Sequence, residues 1–335
     1  DVAQRLARSE RPAFVIGAEV DREQAWEEIV TLAERHSAAV HVAPMAARAV
    51  FPEDHPLFLG FLPAAREAIV AKLAGHDLVL VVGAPVFTYH VDGEGPHLPA
   101  GADLCQLTED PEGAVRAAEG LSVTGSVKLA LRGLLAAEGP AGRPLPPARP
   151  RPPVVTAEDP LTQAFVLQTL AALRRPEDII VEEAPTARPP MQAYLPMLRP
   201  ATFYTMSSGG LGHGMPAAAG IAMARPERRV IALIGDGSSM YSIQTLWTAA
   251  QLRLNVTFVI LNNGNYGAMK KWAGLLGYKP GECMPGTDLP GLDFVALARG
   301  HGCPGERVTH TERLRAALES ALSVQGPALV EVVVA

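Results

Sequence analysis

Short apolar runs alternate along the chain with stretches in which apolar residues recur every three to four positions. In the first half the runs at 12–17, 38–43, 77–83, 102–107 and 121–127 read as strands, and 23–35, 64–74, 111–118 and 128–137 read as helices. The run 77–83 (DLVLVVG) is apolar after its first residue, the pattern of a strand buried on both faces. The second half repeats the scheme. Strands are expected at 178–181, 229–234, 256–261 and 328–334, with helices at 162–174, 215–224, 242–252, 294–298 and 312–322. Between the halves, residues 139–160 are too rich in proline for a helix or a central strand and read as an extended linker. The expected division is 1–138, a linker 139–160, and 161–335.

Strands that alternate with helices imply parallel sheets covered on both sides. The expected fold class is therefore α/β: two three-layer α/β/α domains with mainly parallel sheets, the first of them Rossmann-like. No G-x-G-x-x-G follows any strand of that first domain, so the pattern assigns it no dinucleotide. Composition narrows the partners. Of 335 residues 48% are apolar and 19% charged, with a net charge of −6. No basic block suits nucleic acid or an anionic membrane, and no apolar run approaches the roughly 18 residues of a membrane span. Cys105, Cys283 and Cys303 are odd in number and far apart, which suits reduced thiols in a cytoplasmic protein. The opening Asp1-Val2-Ala3-Gln4 has neither initiator methionine nor signal-peptide core and reads as a piece beginning in the first turn of a helix.

Candidate chemistry concentrates between Arg229 and Gly267. An apolar strand ends in Gly235-Asp236-Gly237-Ser238, a helix follows, and a second apolar strand ends in Asn262-Asn263-Gly264-Asn265. A right-handed strand–helix–strand unit makes the two strands parallel, so both polar clusters fall on the carboxyl edge where α/β sheets bind ligands. The residue types suit a small hard cation. Magnesium wants about six oxygens and keeps phosphates among them. Asp236 offers a carboxylate, Asn263 an amide oxygen and Asn265 its main-chain carbonyl. Gly235 and Gly237 let the backbone approach a phosphate, and the amides of Gly237 and Ser238 open the next helix at its positive end. Asp-Gly or Asn-Gly alone is an ordinary turn dipeptide. Two of them closing neighbouring buried strands make a coherent diphosphate site.

GDGS followed by one helix, one strand and NN resembles the diphosphate signature of the thiamine-diphosphate-dependent 2-oxo-acid decarboxylases. The stretch YSIQTLWTAAQLRLNVTFVILNNGNYGAMKKWAGLLG, the segments 288–294 and 326–332, and GAPVFTYH at 83–90 bring it nearest to the benzoylformate decarboxylase group. The resemblance implies thiamine diphosphate and Mg2+ as cofactors, with Asp236, Asn263 and Asn265 on the metal. Tyr241, Tyr266 and Gly267 then lie beside the cofactor. In Ser207–Pro216, Gly209 and Gly210 would hold the aminopyrimidine and Leu211 would wedge beneath the bent cofactor, while His213 packs or faces solvent. The segment 181–186 would close over the diphosphate through Thr186. Pro185 departs from the pattern, since it offers neither hydroxyl nor N–H. Glu182 and Glu183 would sit towards the diphosphate end.

His90 matches an active-site histidine of the family and is the acid–base candidate. Met269, Trp272 and Met284 match an apolar substrate pocket. The implied reaction takes a 2-oxo acid to an aldehyde and carbon dioxide. Alternatives are an acetolactate-synthase-like carboligase acting on small aliphatic 2-oxo acids, or a diphosphate-binding module without catalysis. The family's glutamate at the pyrimidine belongs to an amino-terminal domain that no segment here matches. The isolated chain is thus expected to be inactive, and the intact protein a dimer or tetramer.

Overall fold

The computed structural model describes residues 1–335 except 91, 92, 141, 280, 281 and 283, so Cys283 lies outside the described residues. The chain divides into two compact units. One comprises 1–151 with 197–202, the other 152–196 with 203–335.

The first unit is built on six parallel strands: β1 (Pro12–Ile16), β2 (Ala39–Val42), β3 (Phe58–Phe61), β4 (Leu78–Val82), β5 (Asp103–Thr108) and β6 (Leu121–Thr124). Their order is β3-β2-β1-β4-β5-β6. Alternation along β1 and β4 explains the two layers. Phe14, Ile16, Leu80 and Val82 face one side with Ile29 and Leu32 of the helix Trp26–His36 and Leu131 of the helix Val127–Ala136. Ala13, Val15, Val79 and Val81 face the other with Ile69 and Leu73. Strand order reverses between β1 and β4, where Rossmann sheets usually open a ligand crevice. Here the ends are packed shut. A Cβ on Gly17 would lie 2.4 Å from the Gly83 carbonyl oxygen. The buried Glu19 carboxylate accepts the Thr108 hydroxyl and the Glu109 N–H, both at 2.8 Å, and burial pushes its pKa up.

The second unit has β7 (Ile179–Glu183), β8 (Phe203–Thr205), β9 (Val230–Gly235), β10 (Val256–Asn262), β11 (Gly305–Val308) and β12 (Ala328–Val333). All are parallel, in the order β11-β12-β10-β9-β7-β8. The direction of winding changes between β7 and β9, so the loops leaving those strands diverge and expose the carboxyl edge.

Several elements depart from the sequence pattern. β3, β8 and β11 were not expected. β3 contains Gly60, β8 is three residues long, and β11 (GERV) has a single fully buried position. The helix expected at 242–252 is shorter, Thr245–Gln251, and a separate four-residue helix, Asp236–Ser239, precedes it. Strand β7 runs on through Glu182 and Glu183, both buried, because tertiary partners satisfy their carboxylates. Arg188 and Thr205 donate to Glu182, as does the Ala184 N–H. The proline-rich stretch is extended, and two of its arginines pack against earlier parts of the first unit. Arg143 bonds His36 Nδ1 at 2.9 Å and the Leu6 carbonyl at 2.7 Å, and Arg149 lies over Phe58.

Two histidines make the first unit acid-sensitive. Burial, with Arg143 beside it, pushes His36 from 6.5 down to about 4, and burial pushes His41 down to about 3. Between about 6.5 and those values the unfolded chain binds protons that the folded chain does not. Stability is therefore full above the unfolded value and lost as pH falls. Each histidine adds a slope of up to about 1.4 kcal/mol per pH unit. We predict that the thermal midpoint drops between pH 7 and 5 and that His41→Leu flattens the drop. An equal slope in the variant would refute the assignment.

Candidate functional site

Strands β9 and β10 pair in register up to Gly235 opposite Leu261, so Asp236 leaves the sheet beside Asn262, the last residue of β10. Asp236 is 4% exposed, and its carboxylate bridges the two strand ends. Oδ1 accepts the Gly237 N–H at 2.8 Å and Oδ2 the Asn263 N–H at 3.1 Å. Burial pushes its pKa up, against the downward pull of the amides of Gly237, Gly264, Asn265 and Asn263. Among the described residues no cationic side chain forms an ion pair with it. A buried carboxylate held only by amides is short of positive charge.

The asparagine run folds into two successive Asx turns. Asn262 Oδ1 accepts the Gly264 N–H at 3.0 Å, and Asn263 Oδ1 accepts the Asn265 N–H at 3.2 Å. Gly264 takes a left-handed φ of +68°, which a side chain would oppose. Tyr266, at φ −77° and ψ 69°, is the centre of an inverse γ-turn closed by the Gly267 N–H on the Asn265 carbonyl at 2.9 Å. The far side of the loop is tied down by Tyr266 N–H to Thr287 O at 2.7 Å and Leu289 N–H to Gly264 O at 2.8 Å.

Two glycines report how closely the parts meet. A Cβ on Gly237 would stand 2.4 Å from Tyr266 Cε1. One on Gly267 would stand 3.0 Å from Thr186 Cγ2, 3.1 Å from Asn263 Nδ2 and 3.3 Å from Asn265 Oδ1. Thr186, Asp236, Gly237, Asn263, Asn265, Tyr266 and Gly267 are thus assembled around one cradle, with Ser238 on the short helix that Asp236 opens. One carboxylate with amide and main-chain oxygens suits a hard divalent cation that takes its remaining ligands from phosphate and water. It does not suit a thiolate or imidazole cage, and no group of three or more His, Cys, Asp or Glu forms one among the described residues.

The glycine-rich loop lies before the helix Gly214–Ala224. Gly209 has φ +75° with open space where a Cβ would be, and Leu211 is 37% exposed beside it. Gly212, at φ +93°, packs on Tyr241. Glu183 ends β7 with its carbonyl 3.8 Å from where a Cβ on Gly235 would lie. Its carboxylate accepts the N–H groups of Gly212 and Gly214 and so ties this loop to the end of β7. Glu182 is likewise committed to Arg188 and Thr205. Sequence reasoning missed both roles. The available signal was two acids ending an otherwise apolar strand, a place where carboxylates need partners.

Met269 and Trp272 ride on the helix Gly267–Trp272, 49% and 42% exposed. Met284 is half-buried and lines a cleft of about 630 Å³ with Lys271, Tyr278 and Thr287. Lys270 is paired with Asp288 at 2.5 Å. His90 belongs to the first unit, where it is exposed and its N–H bonds the Ala64 carbonyl at 2.9 Å.

Comparison with known proteins matches residues 1–134 to the central domain of thiamine pyrophosphate enzymes and residues 188–332 to their C-terminal, thiamine-pyrophosphate-binding domain. The chain belongs to the thiamine pyrophosphate enzymes. Within this family it is 44% identical to a benzoylformate decarboxylase of Pseudomonas aeruginosa over 333 residues, 99% of this chain and 62% of that protein. A putative acetolactate synthase large subunit of Mycobacterium tuberculosis is 33% identical over 80% of this chain and 50% of its own length. Among solved structures, the thiamine diphosphate-dependent 4-hydroxybenzoylformate decarboxylase of Rhodococcus jostii superposes with a TM-score of 0.94 at 40% identity, covering 100% of this chain and 63% of its own. The benzoylformate decarboxylase of Polynucleobacter necessarius gives 0.95 at 36%, covering 99% and 63%. This thiamine pyrophosphate enzyme chain therefore spans less than two thirds of the length of these relatives.

Proposed function

We propose that the chain is the diphosphate-holding part of a non-oxidative decarboxylase that converts an aromatic 2-oxo acid to the aldehyde and carbon dioxide. The observation that carries this reading is the buried Asp236 carboxylate, held by amides of both strand ends and lacking a cation among the described residues. Asp236, Asn263 and Asn265 hold Mg2+. Thr186, Gly235, Gly237, Ser238 and Gly267 line the diphosphate, and Tyr241 and Tyr266 wall it in. Gly209, Gly210 and Leu211 support the pyrimidine end, as the exposed Leu211 beside an open Gly209 suggests. When bound, thiamine diphosphate supplies the electron sink that decarboxylation needs. Met269, Trp272 and Met284 contribute the apolar surface for an aromatic side chain. The acid–base role of His90 rests on its sequence resemblance alone.

The intact protein is read as a cytoplasmic homo-oligomer, a dimer or tetramer. Among the described residues no helix is long and apolar enough to cross a membrane. The second reading, a carboligase acting on small aliphatic 2-oxo acids, is favoured by the acetolactate synthase relative at 33% identity. Steady-state kinetics of the full-length enzyme separates the two. We expect kcat/KM for benzoylformate to exceed that for pyruvate by at least about tenfold, within the 1–3 kcal/mol that apolar pocket shape supplies. A higher value for pyruvate would replace the first reading by the second.

A further inference from the structure

Strand β12 (Ala328–Val333) is apolar except for Glu331, which is 1% exposed. A carboxylate buried inside a sheet is costly unless both its oxygens are used. Here both are. Oε2 accepts Arg307 Nε at 2.8 Å, and Oε1 accepts Asn262 Nδ2 at 2.8 Å. Arg307 is itself steadied by Asp293, Nη2 to Oδ1 at 2.9 Å. In the β10–β12 register Glu331 stands opposite Ile260, so Asn262, two residues on, presents its side chain on the same face.

The donor and acceptor types in this row are not interchangeable. Arg307 can only donate, and an ionised Glu331 can only accept. Asn262 can present either end of its amide, and Glu331 forces the NH2 end inward. Oδ1 must then face the loop, where it accepts the Gly264 N–H at 3.0 Å. That bond closes the turn containing Asn263, whose own N–H reaches Asp236 Oδ2 at 3.1 Å. We propose that Glu331 is a positioning residue for the metal-binding turn. It acts through Asn262 and sets the orientation in which Asn263 and Asp236 meet the cation. The proposal rests on the metal-site reading above and adds to it a support on the neighbouring strand.

The decisive property is non-additivity. If Glu331 acts through Asn262, the effect of its loss disappears once Asn262 is gone. In Glu331→Gln the side-chain amide must either turn its NH2 towards Arg307, donor against donor, or donate to Asn262 and flip it. Either way the Gly264 bond loses its support. Asn262→Ala removes the relay but leaves the Glu331–Arg307 pair intact.

The measurement is calorimetric titration of Mg2+ into full-length enzyme saturated with thiamine diphosphate, with thermal midpoints recorded in parallel. Each single variant is expected to weaken Mg2+ about tenfold, the scale of other supports behind a metal ligand. The double variant should be no weaker than the weaker single. The Mg2+ concentration for half-maximal activity should rise, with kcat at saturating metal within about twofold of the parent. Multiplied effects in the double variant, or unchanged affinity in either single, would overturn the proposal. Should Glu331→Gln fail to fold, Glu331→Asp, which keeps the charge but shortens the reach to Asn262, takes its place in the same cycle with Asn262→Ala. An Asp236→Ala control separates the two levels. Retained Mg2+ binding there removes the metal site and this proposal with it. Lost binding there with parent-like behaviour of the Glu331 and Asn262 variants removes the proposal alone.

Discussion

Asp236→Ala is expected to abolish magnesium-dependent thiamine diphosphate binding by the full-length enzyme, with a fall in affinity of more than about a hundredfold, or about 2.8 kcal/mol. The carboxylate is the single formal negative charge placed at the cradle, and its neighbours Asn263 and Asn265 offer only neutral oxygens. Removing it leaves a divalent cation with nothing on the protein to offset its charge. The same substitution should not harm the cofactor-free fold in proportion. Asp236 is 4% exposed and held only by N–H donors, so before metal binds its charge is an electrostatic burden. The isosteric Asp236→Asn relieves that charge but turns its NH2 towards one of the two N–H donors, so the cofactor-free midpoint should change little while binding is still lost. Such a split between stability and binding marks a residue kept for its ligand. Calorimetry with and without chelator, beside thermal melts, tests both halves. Retained affinity in Asp236→Ala would remove the site assignment.

Gly237→Ala is expected to have the second largest effect. The added Cβ would fall 2.4 Å from Tyr266 Cε1 and 2.6 Å from Cδ1, a full ångström inside ordinary contact at 3.4 Å. The clashing atoms belong to the body of the ring, and the inverse γ-turn that carries it is anchored to Thr287 at 2.7 Å and followed by Gly267, so the expected response is a shift of that turn. Overpacking of this kind costs about 1–3 kcal/mol. The displaced turn carries Asn265, so cofactor affinity should fall at least about tenfold as well. Gly133→Ala is the control. It lies in the exposed interior of the helix Val127–Ala136 with nothing near its Cβ, and there alanine should stabilise by about 0.5–1 kcal/mol. Wild-type affinity in Gly237→Ala would show that Tyr266 is free to move and plays no part in shaping the cradle.

The sequence by itself determined the α/β class, because strands such as Leu78–Val82 are apolar throughout while the intervening helices keep a three-to-four-residue period. It also placed the two polar clusters proposed to hold the diphosphate at one edge of a sheet. Gly235-Asp236-Gly237-Ser238 and Asn262-Asn263-Gly264-Asn265 are contiguous, and each follows an apolar strand whose direction the crossover rule settles. Such signals are local, carried by neighbours in the chain. The tertiary structure decided what depends on residues far apart. Short strands such as Phe203–Thr205 exist because β7 offers them a paired edge. Residues 197–202 join the first unit although they lie within the second half of the chain. Glu183 faces the loop 212–214, and Glu331 faces Asn262, across 29 and 69 residues of sequence. A buried carboxylate must find donors wherever the fold brings them, and no periodicity encodes which residues those will be.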